Sequence, residues 1–164
     1  MKRIYHIELF HTYNRVKYYS LKCDEEEWTL TDQFFERFEK DKTVFKSLNT
    51  LKTWIERIGQ NGAKEGFFRS EKLASALPPP GKFVADIENK LLRLYCIRIS
   101  ECTVVLLSGC RKSAQNVMDC DDCRKHFLLA NKIAKQINQL MFDSVIYAKM
   151  DGSLEFNDDC FIEI

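Results

Sequence analysis

The sequence has no long hydrophobic run, few glycines and prolines, and almost no excess charge. No apolar stretch approaches the roughly 20 residues that span a bilayer, and the N-terminus lacks the apolar core of a secretion signal. A glycine-rich phosphate loop, a nucleophile-elbow serine and a paired-histidine helix motif are all missing. We therefore expect a cytoplasmic protein that has no membrane association and uses no cofactor.

Cysteine is present, but in a pattern that does not indicate a disulfide framework. The chain has seven cysteines, an odd number, and three of them lie in a segment predicted to be a hairpin. Reduced thiols that pack as small apolar groups are the expected state. Cys120 and Cys123, with His126 three residues later, resemble half of a zinc site, but no second pair follows. Cys110 or Cys160 could complete it in space, yet nothing in the sequence requires this, so we expect no metal.

The net charge of +1 conceals a strong segregation of charge along the chain. Basic residues outnumber acidic ones five to one in residues 1–22 and again in residues 90–112. Acidic residues outnumber basic ones eight to two in residues 24–41 and six to one in residues 143–164. This balance argues against nucleic-acid binding by the whole surface but permits one local basic face.

The first half of the chain predicts a hairpin followed by two helices. Residues 4–10 and 16–23 read as strands, and Thr31 is in position to cap a helix that carries three phenylalanines on one side. Apolar residues then recur at helical spacing from position 44 to position 58, and Gly59 is expected to end that helix.

The second half predicts a longer hairpin, a helix and two weaker strands. Residues 90–112 contain two apolar runs separated by a short polar break, which is typical of two antiparallel strands. A long helix is predicted after a polar stretch, followed by strands at 145–150 and 154–164. At 164 residues we expect a single domain of the α+β class, with an antiparallel sheet packed by helices.

The hairpin also suggests chemistry, because it places guanidinium groups on a rigid sheet where a phosphate backbone could lie. Side chains alternate between the two faces of an extended strand. Arg93 therefore belongs to one face and Arg98 to the other, each among apolar neighbours.

With these elements placed, residues 43–140 resemble the RelE/HigB-like toxin superfamily, especially its phage-derived branch. The matching segments are Leu92-Arg93-Leu94-Tyr95, Val104-Val105-Leu106-Leu107 and Ser108-Gly109-Cys110-Arg111-Lys112, preceded by Phe67-Phe68-Arg69 and Pro78. The resemblance implies a RelE-like core to which an N-terminal hairpin and a C-terminal extension are added.

The resemblance further implies a toxin of a toxin–antitoxin pair that cuts mRNA on the ribosome, with RNA and a cognate antitoxin as partners. Arg93 matches the sheet arginine that holds the phosphate, and Arg111 with Lys112 matches the basic pair after the last hairpin strand. These three are the expected catalytic residues, and their charges suit the phosphorane formed when a 2′-hydroxyl attacks the backbone. Lys90, Arg69 and Arg98 are further RNA-binding candidates.

Two alternatives remain open, and the oligomeric state is undetermined. RelE-type members often carry a tyrosine beyond the basic pair, where this chain has residues 116–118, and no general base is evident. His126 begins the last predicted helix and could act, but a lone histidine on a helix is usually structural or solvated, and Tyr147 is only loosely placed for that role. The missing tyrosine and the acidic C-terminus favour an inactive relative with a binding or regulatory function, and a gyrase-directed toxin is another possibility.

Overall fold

A computed structural model describes residues 2–164, apart from the side chain of Ile87. These residues form three α-helices: α1 (Leu30–Glu39), α2 (Phe45–Asn61) and α3 (Asp121–Phe142). The described strands are β1 (Ile4–Thr12), β2 (Lys17–Cys23), β3 (Arg69–Glu71), β4 (Ala74–Leu77), β5 (Leu92–Ser100), β6 (Thr103–Arg111), β7 (Tyr147–Ala148), β8 (Leu154–Glu155) and β9 (Ile162–Glu163).

Seven strands within residues 2–164 form one mixed sheet in the order β3-β4-β5-β6-β2-β1-β9. The α+β class and both predicted hairpins are confirmed, since β1 pairs with β2 and β5 with β6. One neighbouring pair differs from the expected antiparallel arrangement, because β2 runs parallel to β6 with Lys17 beside Thr103. Between β2 and β6 the chain forms α1 and α2 and then strands β3, β4 and β5, a connection long enough for β6 to pair with β2 in the parallel direction.

Helices cover both faces of the sheet, so the core has two halves. Helices α1 and α2 pack on one face against Leu92, Leu94 and Cys96, whereas α3 packs on the other against Tyr95 and Ile97. The alternation predicted for β5 is thus confirmed. Each fully buried leucine or isoleucine in these layers contributes roughly 1.5–3 kcal/mol to stability.

Helix α1 begins two residues earlier than the sequence indicates. The hydroxyl of Thr29, not that of Thr31, caps the helix by accepting a hydrogen bond from the amide of Asp32 at 3.1 Å. Thr31 is completely buried in the first turn, and its hydroxyl donates to the carbonyl of Leu107 on β6 at 2.9 Å. Thr31 therefore fastens the helix to the sheet, a contact that local sequence does not reveal.

Helix α2 continues past the glycine expected to end it. Gly59 remains helical and packs against the ring of Tyr13, and the helix ends at Asn61. Gly62 follows with φ of +109°, a conformation that favours glycine, so the stop signal belongs to Gly62.

The C-terminal segment is less regular than predicted. The strands described after α3 are short, and Tyr147–Ala148 and Leu154–Glu155 pair to make a small separate sheet. Ile162–Glu163 joins β1 at one edge of the main sheet, whereas β3 lies at the opposite edge. This part of the acidic tail is therefore held far from β3.

None of the helices within residues 2–164 combines the length and the apolar character that crossing a bilayer requires.

Candidate nucleic-acid interface

Two adjoining hollows lie where β5 begins and β6 has just ended. The amide of Lys112 donates to the carbonyl of Leu91 at 2.8 Å, which holds the two chain segments together. Both hollows are lined by Arg93, Lys112 and Gln115, and together they form what we call the cationic groove. Its other lining residues are Arg69, Glu71, Lys90, Leu91, Ser113, Ala114, Asn116, Val117 and Asp119.

Arg93 occupies the inner wall of the groove and is only 8% exposed. Its Nη1 donates to Oε1 of Glu71 at 2.9 Å. Its Nε is buried and has no hydrogen-bond partner among the described residues. Buried polar groups are nearly always hydrogen-bonded, and a buried charge needs more than one partner to offset its desolvation. Among the described residues, Arg93 is therefore a groove cation whose set of hydrogen-bond partners is incomplete.

Arg69 stands on β3, two residues before Glu71, so both side chains share one face of the strand. Its Nε donates to the carbonyl of Pro78 at 2.9 Å, and its Nη2 donates to that of Pro79 at 3.2 Å. Burial lowers the pKa of Arg69, and the nearby charge of Arg93 lowers it further. These carbonyls orient the guanidinium without neutralising it.

Lys112 lines the same hollow as Arg69, and its charged form is also destabilised. Burial lowers its pKa, and repulsion from Arg93 and Arg69 adds to that effect, while Glu71 opposes it. Four cationic side chains, but only two carboxylates, line the groove. The mutual repulsion indicates that an entering anion would be attracted by several groups at once.

The structure brings together four of the six residues named from the sequence: Arg69, Lys90, Arg93 and Lys112. The other two lie elsewhere. Arg98 donates to the carbonyl of Ala63 on the α2 side of the sheet. Arg111 reaches Thr43 at 2.8 Å and Asp41 at 3.6 Å, beside α1 and α2.

The alternation of side chains along a strand explains both separations. Arg93 and Arg98 differ by an odd number of positions, as do Arg111 and Lys112, so the members of each pair face opposite sides of the sheet. The basic pair at the end of β6 is therefore divided, and only Lys112 lines the groove.

Sequence reasoning missed the groove residues Glu71, Gln115, Asn116 and Asp119. Glu71 carried a usable signal, because it shares a strand face with Arg69. The other three lie in the loop between β6 and α3, which has no periodicity to predict where its side chains point. His126 and Tyr147 do not line the groove.

The cysteines near the groove depart from the expectation of reduced thiols. Cys110 and Cys123 form a disulfide, whereas Cys120 has a free thiol. Over residues 2–164, no three or more His, Cys, Asp or Glu side chains are arranged to hold a metal ion.

Comparison of the chain with protein-family models, curated proteins and solved structures found no match.

Proposed function

We propose that the cationic groove binds the sugar–phosphate backbone of RNA, and that the protein is a toxin of a toxin–antitoxin pair that cuts mRNA on the ribosome. The unpartnered Nε of buried Arg93, with Lys112 and Arg69 beside it, carries this proposal. A phosphate oxygen would complete the hydrogen bonding of Arg93 and relieve the repulsion among the three cations. The cognate antitoxin is the second partner and would have to prevent RNA from entering.

The groove offers the electrostatic part of RNA cleavage. Attack of a 2′-hydroxyl on the adjacent phosphorus produces a phosphorane with additional negative charge. In this proposal Arg93 and Arg69 hold the phosphate oxygens. Lys112, whose pKa is lowered by burial and by its cationic neighbours, donates a proton to the departing 5′ oxygen.

In this proposal, a carboxylate of the groove acts as the base that takes the proton of the 2′-hydroxyl. Two carboxylates line the groove, those of Glu71 and Asp119. Glu71 already accepts a hydrogen bond from Arg93, so a phosphate that draws Arg93 toward itself would release the Glu71 carboxylate for this role.

The same ion pair favours a second candidate, an RNA-binding protein without nuclease activity. As long as Glu71 remains paired with Arg93, its carboxylate is occupied by that hydrogen bond, and the groove would hold RNA without cutting it. Arg111, expected from the sequence to assist catalysis, contacts Asp41 and lies outside the groove.

A cleavage experiment distinguishes the two functions. The protein is incubated with translating ribosomes, and the mRNA ends are mapped by primer extension, with Lys112→Ala and Lys135→Ala tested in parallel. Lys135 is an exposed lysine on α3 that does not line the groove. We expect cleavage by the parent and by Lys135→Ala, and a loss of about 100-fold in Lys112→Ala, in the range of general acid catalysis.

Intact mRNA combined with tight RNA binding would establish the non-cleaving function. Absence of both cleavage and binding in the parent protein would contradict the proposal. Growth arrest with intact transcripts and damaged DNA would indicate a gyrase-directed toxin instead.

The pH dependence of binding tests Lys112 separately. Because its pKa is lowered from 10.5, Lys112 loses its charge at a lower pH than an ordinary lysine, so affinity should fall as pH rises through that lowered pKa. Lys112→Arg keeps its charge throughout and should not show this fall. Affinity for oligodeoxyadenylate, which resists alkaline cleavage, is measured in a Cys120→Ser background, so that the neighbouring thiol does not titrate. Identical pH profiles for lysine and arginine would contradict the assignment.

A further inference from the structure

Three cysteines meet beside the groove, where β6 passes into α3. Cys110 on β6 is joined by a disulfide to Cys123 in the first turn of α3, and Cys120 lies just before that helix. Relative exposure is 0% for Cys110, 1% for Cys120 and 0% for Cys123. A free thiol is thus enclosed with a disulfide, out of contact with bulk water.

Cys120 lies among hydrogen-bond donors, and its own thiol donates to the carbonyl of Arg111 at 3.5 Å. Its Sγ lies 3.4 Å from the amide nitrogen of Cys123, and 3.2 Å and 3.5 Å from the Oγ and amide nitrogen of Ser113. It also occupies the N-cap position of α3, where the helix dipole favours negative charge. Burial raises the pKa of the thiol, but the hydrogen bonds outweigh this effect, and the pKa lies below its usual value. The thiolate, which is the form that attacks disulfides, is stabilised there.

We propose that these three cysteines form a thiol–disulfide exchange site. The sulfur of Cys120, after losing its proton, attacks Sγ of Cys123. A Cys120–Cys123 bond forms, the Cys110–Cys123 bond breaks, and Cys110 leaves as a thiolate that takes up the proton. The step is an isomerisation that uses one existing disulfide, so it requires neither an oxidant nor a reductant.

The position of Cys123 makes this exchange feasible. It is the third residue of α3, and its backbone amide already contacts the sulfur of Cys120. Two intervening residues at a helix N-terminus are the spacing seen in dithiol oxidoreductases, in which the two cysteines form a disulfide directly. Cys123 is therefore shared between two alternative partners, one on the neighbouring strand and one at its own helix cap.

Exchange would alter the groove and so the binding of RNA. This effect on binding rests on the proposed function, whereas the exchange step does not depend on it. In the observed state the disulfide ties α3 to β6 at Cys110, which pairs with Arg93 across the hairpin. Cys120 meanwhile holds Ser113, the second residue after β6, which lines the groove beside Lys112. In the exchanged state the tie to β6 is lost, and the sulfur of Cys120 turns away from Ser113. The groove would then be rearranged without any change in the net number of disulfides.

Trypsin distinguishes the two disulfides. It cuts after Arg98, Arg111, Lys112 and Arg124, which places Cys102 and Cys110 in one peptide and Cys120 and Cys123 in another. A Cys110–Cys123 bond therefore links two peptides, whereas a Cys120–Cys123 bond lies within one. The native oxidised Cys102→Ser protein, which lacks the second thiol of the first peptide, is quenched with acid. Its free thiols are alkylated with N-ethylmaleimide in urea, and the digest is analysed by mass spectrometry.

We expect both forms from the Cys102→Ser protein. In molecules with the Cys110–Cys123 bond, Cys120 should be alkylated. In molecules with the Cys120–Cys123 bond, Cys110 should be alkylated. Adding Cys120→Ser should leave only the linked pair, and adding Cys110→Ser should leave only the internal bond. Recovery of the linked pair alone, with Cys120 alkylated in every molecule, would overturn the proposal. This result does not depend on whether either added variant folds.

Binding of an RNA oligonucleotide tests the effect on the groove. Oxidised Cys110→Ser and Cys120→Ser represent the two states, and we expect their affinities to differ by at least about five-fold, a typical lower value for coupled sites. The difference should disappear after reduction with dithiothreitol. Equal affinities of the oxidised variants would refute the effect on the groove. If the parent protein binds no RNA while both disulfides are recovered, the proposed function fails and the exchange site stands.

Discussion

Replacing Arg93 with alanine is expected to lower the affinity for single-stranded RNA by about 10- to 100-fold, the loss that follows from removing one charged hydrogen-bonding group. Arg93 is the innermost cation of the groove and has a hydrogen-bond donor to spare. The dependence of binding on salt should also weaken by about one counterion, because one phosphate contact is lost. Titration of a fluorescent RNA at several salt concentrations measures both effects.

The same substitution is also expected to destabilise the fold. It leaves Glu71, whose side chain is only 11% exposed, without its partner, and breaking a buried pair in this way costs about 3–5 kcal/mol. A double substitution of Arg93→Gln and Glu71→Gln removes the charge of both residues, so that no unpaired ion is left buried. It should unfold closer to the parent temperature and still bind RNA weakly.

Arg57→Ala provides the control, since Arg57 is exposed on α2 and does not line the groove. Its RNA affinity should equal that of the parent. If the double variant binds RNA as tightly as the parent, then Arg93 does not belong to the interface and the proposed function loses its main support.

Gly109→Ala is expected to be the most destabilising single-methyl addition among the glycines of the described chain. A Cβ at this position would lie 1.9 Å from the carbonyl oxygen of Arg93 and 2.8 Å from Cε2 of Phe34. The carbonyl belongs to the paired strand, so relief requires separating β5 from β6 at the centre of the sheet. We expect a loss of about 3 kcal/mol or more in the free energy of unfolding, at the upper end for overpacked cores. The melting temperature should fall by about 10 °C.

Gly66→Ala is the matched control, because a Cβ there would meet no atom within 4 Å. Its free energy of unfolding should stay within about 0.5 kcal/mol of the parent value, as for most surface substitutions. Thermal unfolding followed by circular dichroism compares the two variants. Equal melting temperatures would show that β5 and β6 are not paired closely at Gly109.

Part of the groove was visible in the sequence. The resemblance predicts both Arg93 and Lys112, and the alternation of side chains along β5 separates Arg93 from Arg98. The same rule, applied to adjacent residues at the end of a strand, would have separated Arg111 from Lys112. Arg69 and Lys90 are also predicted to bind RNA, but the sequence does not reveal how close they lie to Arg93.

The contacts that give the groove its chemistry were not visible. Glu71 lies 22 positions before Arg93, and their ion pair depends on β4 standing between β3 and β5 in the sheet. The disulfide likewise depends on how α3 packs against β6, since Cys110 is separated from Cys123 by 13 positions and an irregular loop. Such pairs form because distant segments pack together, and the secondary-structure propensities of individual residues do not encode this packing.

The periodicity of apolar residues was sufficient to establish the two hairpins, the positions of α2 and α3, and the side of the sheet on which each arginine of β5 lies. These features depend on neighbours a few positions apart, because strand and helix repeats are short. The parallel pairing of β2 with β6, the division of the basic pair between opposite faces and the carboxylate that holds Arg93 emerged only when the layers were assembled. Each depends on groups distant in sequence, which are brought into contact by burial of the two halves of the core.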